Sequence, residues 1–211
     1  MPKKKTNHGH SKNSGSARRG RFRSNVLLGV SGGVAAYKAV DLASKLTAAG
    51  AAVKTIMTEN ACRLIRPKSF EAVTGQQVYT SLWSESEEYQ TGHISLADWA
   101  DIVAVVPATA NIIGKIANGI CDDLLSTTIC VCWPLIKMGA AILAPAMNDN
   151  MWNNPAVQRN IEIIKDMGFK LIGPVEGRLA CGTEGIGRMS EPQDILEAIE
   201  KVASKTKRRK R

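Results

Sequence analysis

Beyond its first 24 residues this chain carries one imidazole, His93, in the run Thr91-Gly92-His93-Ile94-Ser95-Leu96, which reads as a glycine-flanked helix start. A ring at that end of a helix feels the positive pole of the dipole, which favours its neutral form and leaves it able to accept a proton. Asn148 stands in Leu-Ala-Pro-Ala-Met-Asn-Asp-Asn-Met-Trp at 143–152, just past an apolar strand. Its carboxamide could bind a polar ligand or cap the helix that follows. Asp149, Asn150, Asn153 and Asn154 could cap equally well, which leaves Asn148 freer for a ligand. Cys181 lies in a stretch rich in glycine (Gly173, Gly177, Gly182, Gly185, Gly187), which reads as a mobile loop or flap. Each residue also has a plain reading: a lone histidine is more often structural, and an asparagine after a strand often only caps.

The elements that must position these residues alternate strand and helix. Asn25 to Val30 is an apolar strand, and Ser31-Gly32-Gly33 turns it into a helix, Val34 to Ala49, closed by Gly50. The turn matches neither GxGxxG nor GxxxxGK[ST], but it offers a helix N-terminus with backbone donors and no Cβ in the way. A second strand, Ala52 to Met57, ends at Thr58-Glu59-Asn60. The strand Ile102 to Val106 is followed by Pro107-Ala108-Thr109-Ala110-Asn111 and a helix from Ile112 to Asn118, with Thr109 placed to cap it. Further on come a helix from Asp123 to Cys132, the strand Ala140 to Ala144, a helix from Pro155 to Met167, a strand from Lys170 to Ile172, and a last helix from Pro192 to about Ala203. Residues 61–90 read as short helices and an acidic excursion to which no chemistry is assigned. Continuous apolar strands separated by helices predict one α/β domain with a doubly wound parallel sheet, Rossmann-like or flavodoxin-like, helices on both faces and clefts at the strands' carboxyl ends.

Composition bounds the rest. With 211 residues, 44% of them hydrophobic, the chain can bury one substantial core. The net charge of +9 comes from its ends. Residues 1–24 hold eight Lys/Arg and residues 205–211 six, leaving 14 basic against 19 acidic residues, about −5, in the body. The expected organisation is a disordered basic tail over 1–24, a folded domain over 25–203 and a basic tail over 204–211. Such tails could touch nucleic acid weakly but lack the interleaved aromatics of a single-strand binder. No apolar run is long enough to span a membrane and no signal-peptide core follows the basic start, so a cytoplasmic location is expected. Five cysteines without a CxxC pair indicate neither a disulfide framework nor a metal site, and Cys62, Cys121, Cys130 and Cys132 read as small core residues.

Five motifs in order carry a family resemblance from about Asn25 to Ala203: Gly-Val-Ser-Gly-Gly-Val-Ala-Ala-Tyr-Lys at 29–38, His-Ile-Ser-Leu-Ala-Asp-Trp-Ala-Asp at 93–101, Pro-Ala-Thr-Ala-Asn at 107–111, Pro-Ala-Met-Asn-Asp-Asn-Met-Trp at 145–152 and Arg-Leu-Ala-Cys-Gly at 178–182. The chain resembles the flavin-dependent cysteine decarboxylases, and among them the phosphopantothenoylcysteine decarboxylases of coenzyme A biosynthesis. The resemblance implies a non-covalent FMN contacted by Ser31, Gly32, Gly33, Val34, Thr58, Thr109, Ala110, Asn111, Ile112 and Ala146. It also implies a homotrimer, with a dodecamer as a further assembly, whose active sites lie between subunits.

The implied reaction takes 4′-phosphopantothenoylcysteine to 4′-phosphopantetheine through thiol oxidation, loss of carbon dioxide and reduction of the enethiol. His93 would be the base, Asn148 would bind the substrate carboxylate and Cys181 would be the acid, with Met151, Arg178 and Ala180 as further substrate contacts. Two other readings remain. A peptidyl-cysteine decarboxylase would stop at the enethiol and need no reductive cysteine, and a non-catalytic FMN-binding regulatory subunit usually carries acidic rather than basic tails. The C-terminal ligase domain fused to many bacterial relatives does not follow in this sequence, so the step that supplies the cysteine would fall to another protein.

Overall fold

The computed structural model describes residues 22–83 and 92–209. Its centre is a six-stranded parallel sheet built from β1 (Asn25–Val30), β2 (Ala52–Met57), β3 (Val78–Tyr79), β4 (Ile102–Ala108), β5 (Ala141–Pro145) and β6 (Lys170–Leu171), in the order β3-β2-β1-β4-β5-β6. This is the doubly wound 3-2-1-4-5-6 order. Leaving out the two-residue β3 reduces it to the flavodoxin order, so both expected descriptions hold. The chain winds outward from β1 to β3, then crosses to β4 on the other side of β1. That reversal opens a crevice between the carboxyl ends of β1 and β4.

Helices cover both faces because the central strands are apolar on both. Every residue of β4 and β5 is buried, as are Val26, Leu27 and Leu28 of β1. On one face α1 (Ala36–Ala49) packs with α3 (Pro67–Thr74) and α10 (Pro192–Arg209), and on the other α4 (Gly92–Trp99), α5 (Ala110–Ala117), α6 (Leu124–Val131) and α9 (Pro155–Met167) pack together. Helix α1 buries Ala36, Ala39, Leu42, Ala43 and Leu46, the i, i+3, i+7 stripe of an amphipathic helix, and Gly50 ends it at φ 102°. The short helices α2 (Glu59–Leu64), α7 (Trp133–Lys137) and α8 (Asp149–Trp152) complete the connections.

Several boundaries differ from those read off the sequence. The glycine-rich stretch is not an irregular loop: β7 (Val175–Arg178) and β8 (Glu184–Arg188) pair antiparallel as a hairpin. Helix α1 starts at Ala36 rather than Val34, and α5 at Ala110 rather than Ile112, because Thr109 caps it. Helix α10 continues past Ala203 to Arg209, with Thr206 buried and its hydroxyl on the Val202 carbonyl, so 204–209 extend the fold rather than trail from it. At the other end Phe22 packs on the core and the Ser24 carbonyl accepts the Ala52 amide. The tail over 1–21 and the acidic patch Glu85, Glu87 and Glu88 lie outside the described residues.

Candidate active site

A cavity of about 1090 Å³ opens at the carboxyl ends of β1, β2, β4 and β5 and is walled by the β7–β8 hairpin. The β1–α1 turn contributes Ser31, Gly32, Gly33 and Val34, and β2 ends in Thr58. The α5 start contributes Thr109, Ala110 and Asn111, the segment after β5 Ala146, Asn148 and Met151, and the hairpin Arg178, Ala180 and Cys181. Two expected site residues do not line it. The Ile112 side chain is fully buried and its amide donates to Thr109 Oγ1 (3.4 Å), so it serves the cap. His93, half-buried in the first turn of α4, lies outside the cavity of a single chain, beside the exposed Ile94.

The floor is held by contacts across the switch point. Ser31 Oγ donates to the Pro107 carbonyl (2.7 Å), accepts from the Thr109 amide (3.1 Å) and lies 3.1 Å from Thr109 Oγ1, so the loops after β1 and β4 form one frame. Thr109 and Thr58 cap α5 and α2 with their side chains, whereas α1 has no side-chain cap. Carbonyls of the turn serve its first amides instead, with Ala36 N donating to Gly33 O at 2.9 Å and Lys38 N to Ala35 O at 3.0 Å. Gly32 is required by its surroundings: a Cβ there would fall 2.4 Å from Asn60 Cβ and 2.8 Å from the Asn60 carbonyl carbon.

Asn148 resolves the choice left open above. Its Oδ1 accepts the Asn150 amide at 2.9 Å, so it is itself the N-cap of α8, while Asn154 caps α9 and neither Asp149, Asn150 nor Asn153 caps α8. The carboxamide has a second end, and Nδ2 donates to Cys181 Sγ at 3.4 Å. Cys181 sits at the exposed hairpin tip, in a turn closed by Gly182 N on Leu179 O (3.0 Å) and Leu179 N on Thr183 O (2.8 Å). The Thr183 hydroxyl lies 3.1 Å from its sulfur. That hydroxyl, then the Thr183 amide and the Asn148 carboxamide, hold the thiol pKa below its ordinary value by stabilising the thiolate. Strand β8 is latched beside the same loop, with Met147 N donating to Gly187 O at 3.0 Å. A Cβ on Gly187 would meet the Met147 oxygen at 2.2 Å.

The other cysteines divide. Cys132 is buried, and burial pushes its thiol up to about 12; Cys62 is half-buried and also raised by burial. Cys121 and Cys130 are exposed, contrary to the expectation that they pack in the core. Among the described residues no cluster of histidine, cysteine and carboxylate could hold a metal ion.

Sequence reading missed the charged wall of the cavity. Lys38, Lys115, Asp122, Asp123 and Arg188 all line it. Lys115 Nζ bridges Asp122 (2.6 Å) and Asp123 (2.7 Å); burial works against the ammonium, but these hydrogen bonds outweigh it and its pKa lies above that of ordinary lysine. Lys38 and Arg188 share Glu191, whose carboxyl is held below its usual range chiefly by Lys38. Helical spacing could have found one of these residues: Lys115 is four residues beyond Asn111, one turn along the same face of α5.

A protein-family model described as "Flavoprotein" matches residues 14–204. The chain is 51% identical over 177 residues to the coenzyme A biosynthesis bifunctional protein CoaBC of Bacillus subtilis, an alignment covering 84% of this chain and 42% of that protein. The chain thus spans less than half the length of that relative. Among solved structures it is similar to a PPC decarboxylase mutant complexed with pantothenoylaminoethenethiol, at 35% identity and TM-score 0.72 over 84% of this chain and 96% of the other. It is also similar to the FMN binding protein AtHal3, at 34% identity and TM-score 0.69 over 83% and 94%.

Proposed function

The chain belongs to the flavoprotein family, and on that premise we propose that it binds FMN and decarboxylates 4′-phosphopantothenoylcysteine to 4′-phosphopantetheine. The observation that carries this reading is the Asn148–Cys181 contact inside the cavity at the sheet's switch point. It brings a carboxamide able to bind a carboxylate against a thiol able to give a proton.

The residues present fit the cofactor. Gly32 lets the β1–α1 turn pack against Asn60 more closely than a side chain would allow, α1 starts without a side-chain cap, and the α5 start lies across the frame made by Ser31 and Thr109. Ser31, Gly32, Gly33, Val34, Thr58, Thr109, Ala110, Asn111 and Ala146 would hold FMN there, with Ile112 supporting the cap. When bound, FMN would accept the two electrons that oxidise the substrate thiol to a thioaldehyde, whose C=S takes up the electron pair left by carbon dioxide, and would then return them to the enethiol.

The chain's own groups do the rest. Asn148 Nδ2 donates to the substrate carboxylate and orients it for loss as carbon dioxide, while Arg178 adds a positive charge at the end of β7. Ala180 and Met151 bound the substrate beside them. Cys181 gives its proton to the enethiol carbon as the electrons return, and Thr183 and Asn148 stabilise the thiolate that remains. His93 accepts the substrate's thiol proton. Because it lies outside the cavity of its own chain, we place it in the site of a neighbouring copy, which goes with a homotrimer, assembled further or not. A cytoplasmic location suits this reading, and among the described residues no helix is long and apolar enough to cross a membrane. The basic tails have no part in the chemistry.

The test is direct. Purified protein should show the absorbance bands of FMN and release carbon dioxide from 4′-phosphopantothenoylcysteine. Protein that stays colourless after incubation with FMN sinks the reading.

A further inference from the structure

We propose that Lys38 and Arg188 form the subsite for the substrate's phosphomonoester and thereby select phosphorylated pantothenoylcysteine over cysteine amides without a phosphate. The inference rests on the decarboxylase reading above and adds to it the far end of the substrate. Both residues line the large cavity, one from the first turn of α1 and the other from the end of β8. Lys38 is largely withdrawn from solvent, with its side chain 14% exposed, yet it faces the cavity. Its Nζ reaches Glu191 Oε1 at 2.8 Å, and Arg188 Nη2 hydrogen-bonds the same oxygen. Two cations converging on one carboxylate oxygen stand close enough to share one phosphate.

Charge and donor counts leave room for that ligand. Glu191 engages one donor of each cation, while an ammonium has three and a guanidinium five. The trio keeps a net charge of +1, to which a phosphomonoester brings between one and two negative charges near neutral pH. Arginine suits it further because its fork matches two phosphate oxygens.

Length agrees. Strand β8 spans Glu184–Arg188, roughly 13 Å at the rise of an extended strand, and it begins three residues beyond Cys181. In pantothenoylcysteine phosphate, eleven bonds separate the cysteine α-carbon from phosphorus, a reach of about 13 Å when extended. Met147, which precedes Asn148, is latched to Gly187 beside Arg188 at 3.0 Å, so a substrate whose cysteine end lies at Asn148 and Cys181 has Arg188 within its reach. Gly187, which lines the cavity just before Arg188, lets β8 close against the Met147 carbonyl, which a Cβ there would meet at 2.2 Å.

The experiment compares 4′-phosphopantothenoylcysteine with unphosphorylated pantothenoylcysteine on the flavin-loaded protein and on Lys38→Gln and Arg188→Gln. Wild type should prefer the phosphorylated compound, and each variant should cut that kcat/KM ratio by roughly 10- to 100-fold, mainly through KM. Inorganic phosphate should compete with substrate in wild type and lose its effect in the variants. A ratio kept at its wild-type value overturns the proposal, as does an equal loss on both compounds, which would mark the Lys38–Glu191–Arg188 cluster as a structural tie. Cofactor phosphate is the other source of the same chemistry. If the variants instead lose their preference for FMN over riboflavin in a fluorescence titration, the subsite belongs to the cofactor and the proposal fails. Wild type that releases carbon dioxide from neither compound removes the decarboxylase reading itself, and the subsite with it.

Discussion

Asn148 Nδ2 donates to Cys181 Sγ at 3.4 Å across 33 residues of sequence, while Asn148 Oδ1 simultaneously caps α8 at the Asn150 amide. One side chain thus ties the loop after β5 to the hairpin tip. The same contact stabilises the Cys181 thiolate, together with the stronger influence of Thr183.

Cys181→Ser should oxidise and decarboxylate substrate but fail to finish. A serine hydroxyl is far too weak an acid to replace a thiol, whose reference pKa is about 8.5. Mass spectrometry should find the enethiol, two hydrogens lighter than 4′-phosphopantetheine. Normal product at an undiminished rate would reduce Cys181 to a bystander.

The Thr183 contact makes a separate prediction about pH. Thr183 lowers the Cys181 pKa by stabilising the charged form, so Thr183→Val should move the thiol titration to higher pH. Thiolate absorbance or alkylation rate against pH reads this shift. In wild type the reduction of the enethiol to product should fail as pH rises through the Cys181 pKa, because the donor proton is gone, and in the variant that failure should come at higher pH. A titration that moves downward, or not at all, contradicts the assignment.

Asn148→Asp separates the two jobs of this side chain. Aspartate caps helices as well as asparagine does, so thermal stability should stay close to wild type, whereas Asn148→Ala should lose about 1 kcal/mol with the cap. Turnover of Asn148→Asp should nevertheless fall at least about tenfold, since a second carboxylate repels the substrate's own and a charged hydrogen bond is lost. Wild-type turnover would move carboxylate binding to another residue.

His93→Asn should keep its flavin and release no carbon dioxide. Mixing tests where the histidine acts. If His93 serves a neighbouring copy, oligomers reassembled from His93→Asn and Asn148→Asp chains contain some sites with both native residues, and activity should return. No recovery in demonstrably mixed oligomers would place His93 in the site of its own chain.

Gly32→Ala should strike the cofactor floor, since its Cβ would meet backbone as well as side-chain atoms of Asn60. Relief requires the β1–α1 turn or α2 to shift, a strain of about 1–3 kcal/mol. Flavin occupancy and Tm should both fall. Full occupancy at native Tm would show that the turn is softer than its packing implies.

Much of this molecule was legible locally. Strands β1, β4 and β5 are continuous apolar runs because both their faces are covered. Gly50, Pro155 and Pro192 punctuate the helices where chain geometry demands, so alternation and a parallel sheet followed from neighbours in sequence alone. The polar strand ends Ser31–Gly33, Thr58 and Thr109–Asn111 were visible for the same reason. Local pattern could not show pairing within the glycine-rich stretch, where extended backbone at Gly177 and Gly187 sits in conformations that side-chain propensity does not encode. Nor could it show that Asn148 both caps α8 and meets Cys181, that Lys38 and Arg188 converge on Glu191, or that His93 stays outside the cavity of its own chain. Those facts depend on how distant elements cross and register. Periodicity reports which face of an element is apolar, but only packing decides which polar side chains from different elements meet.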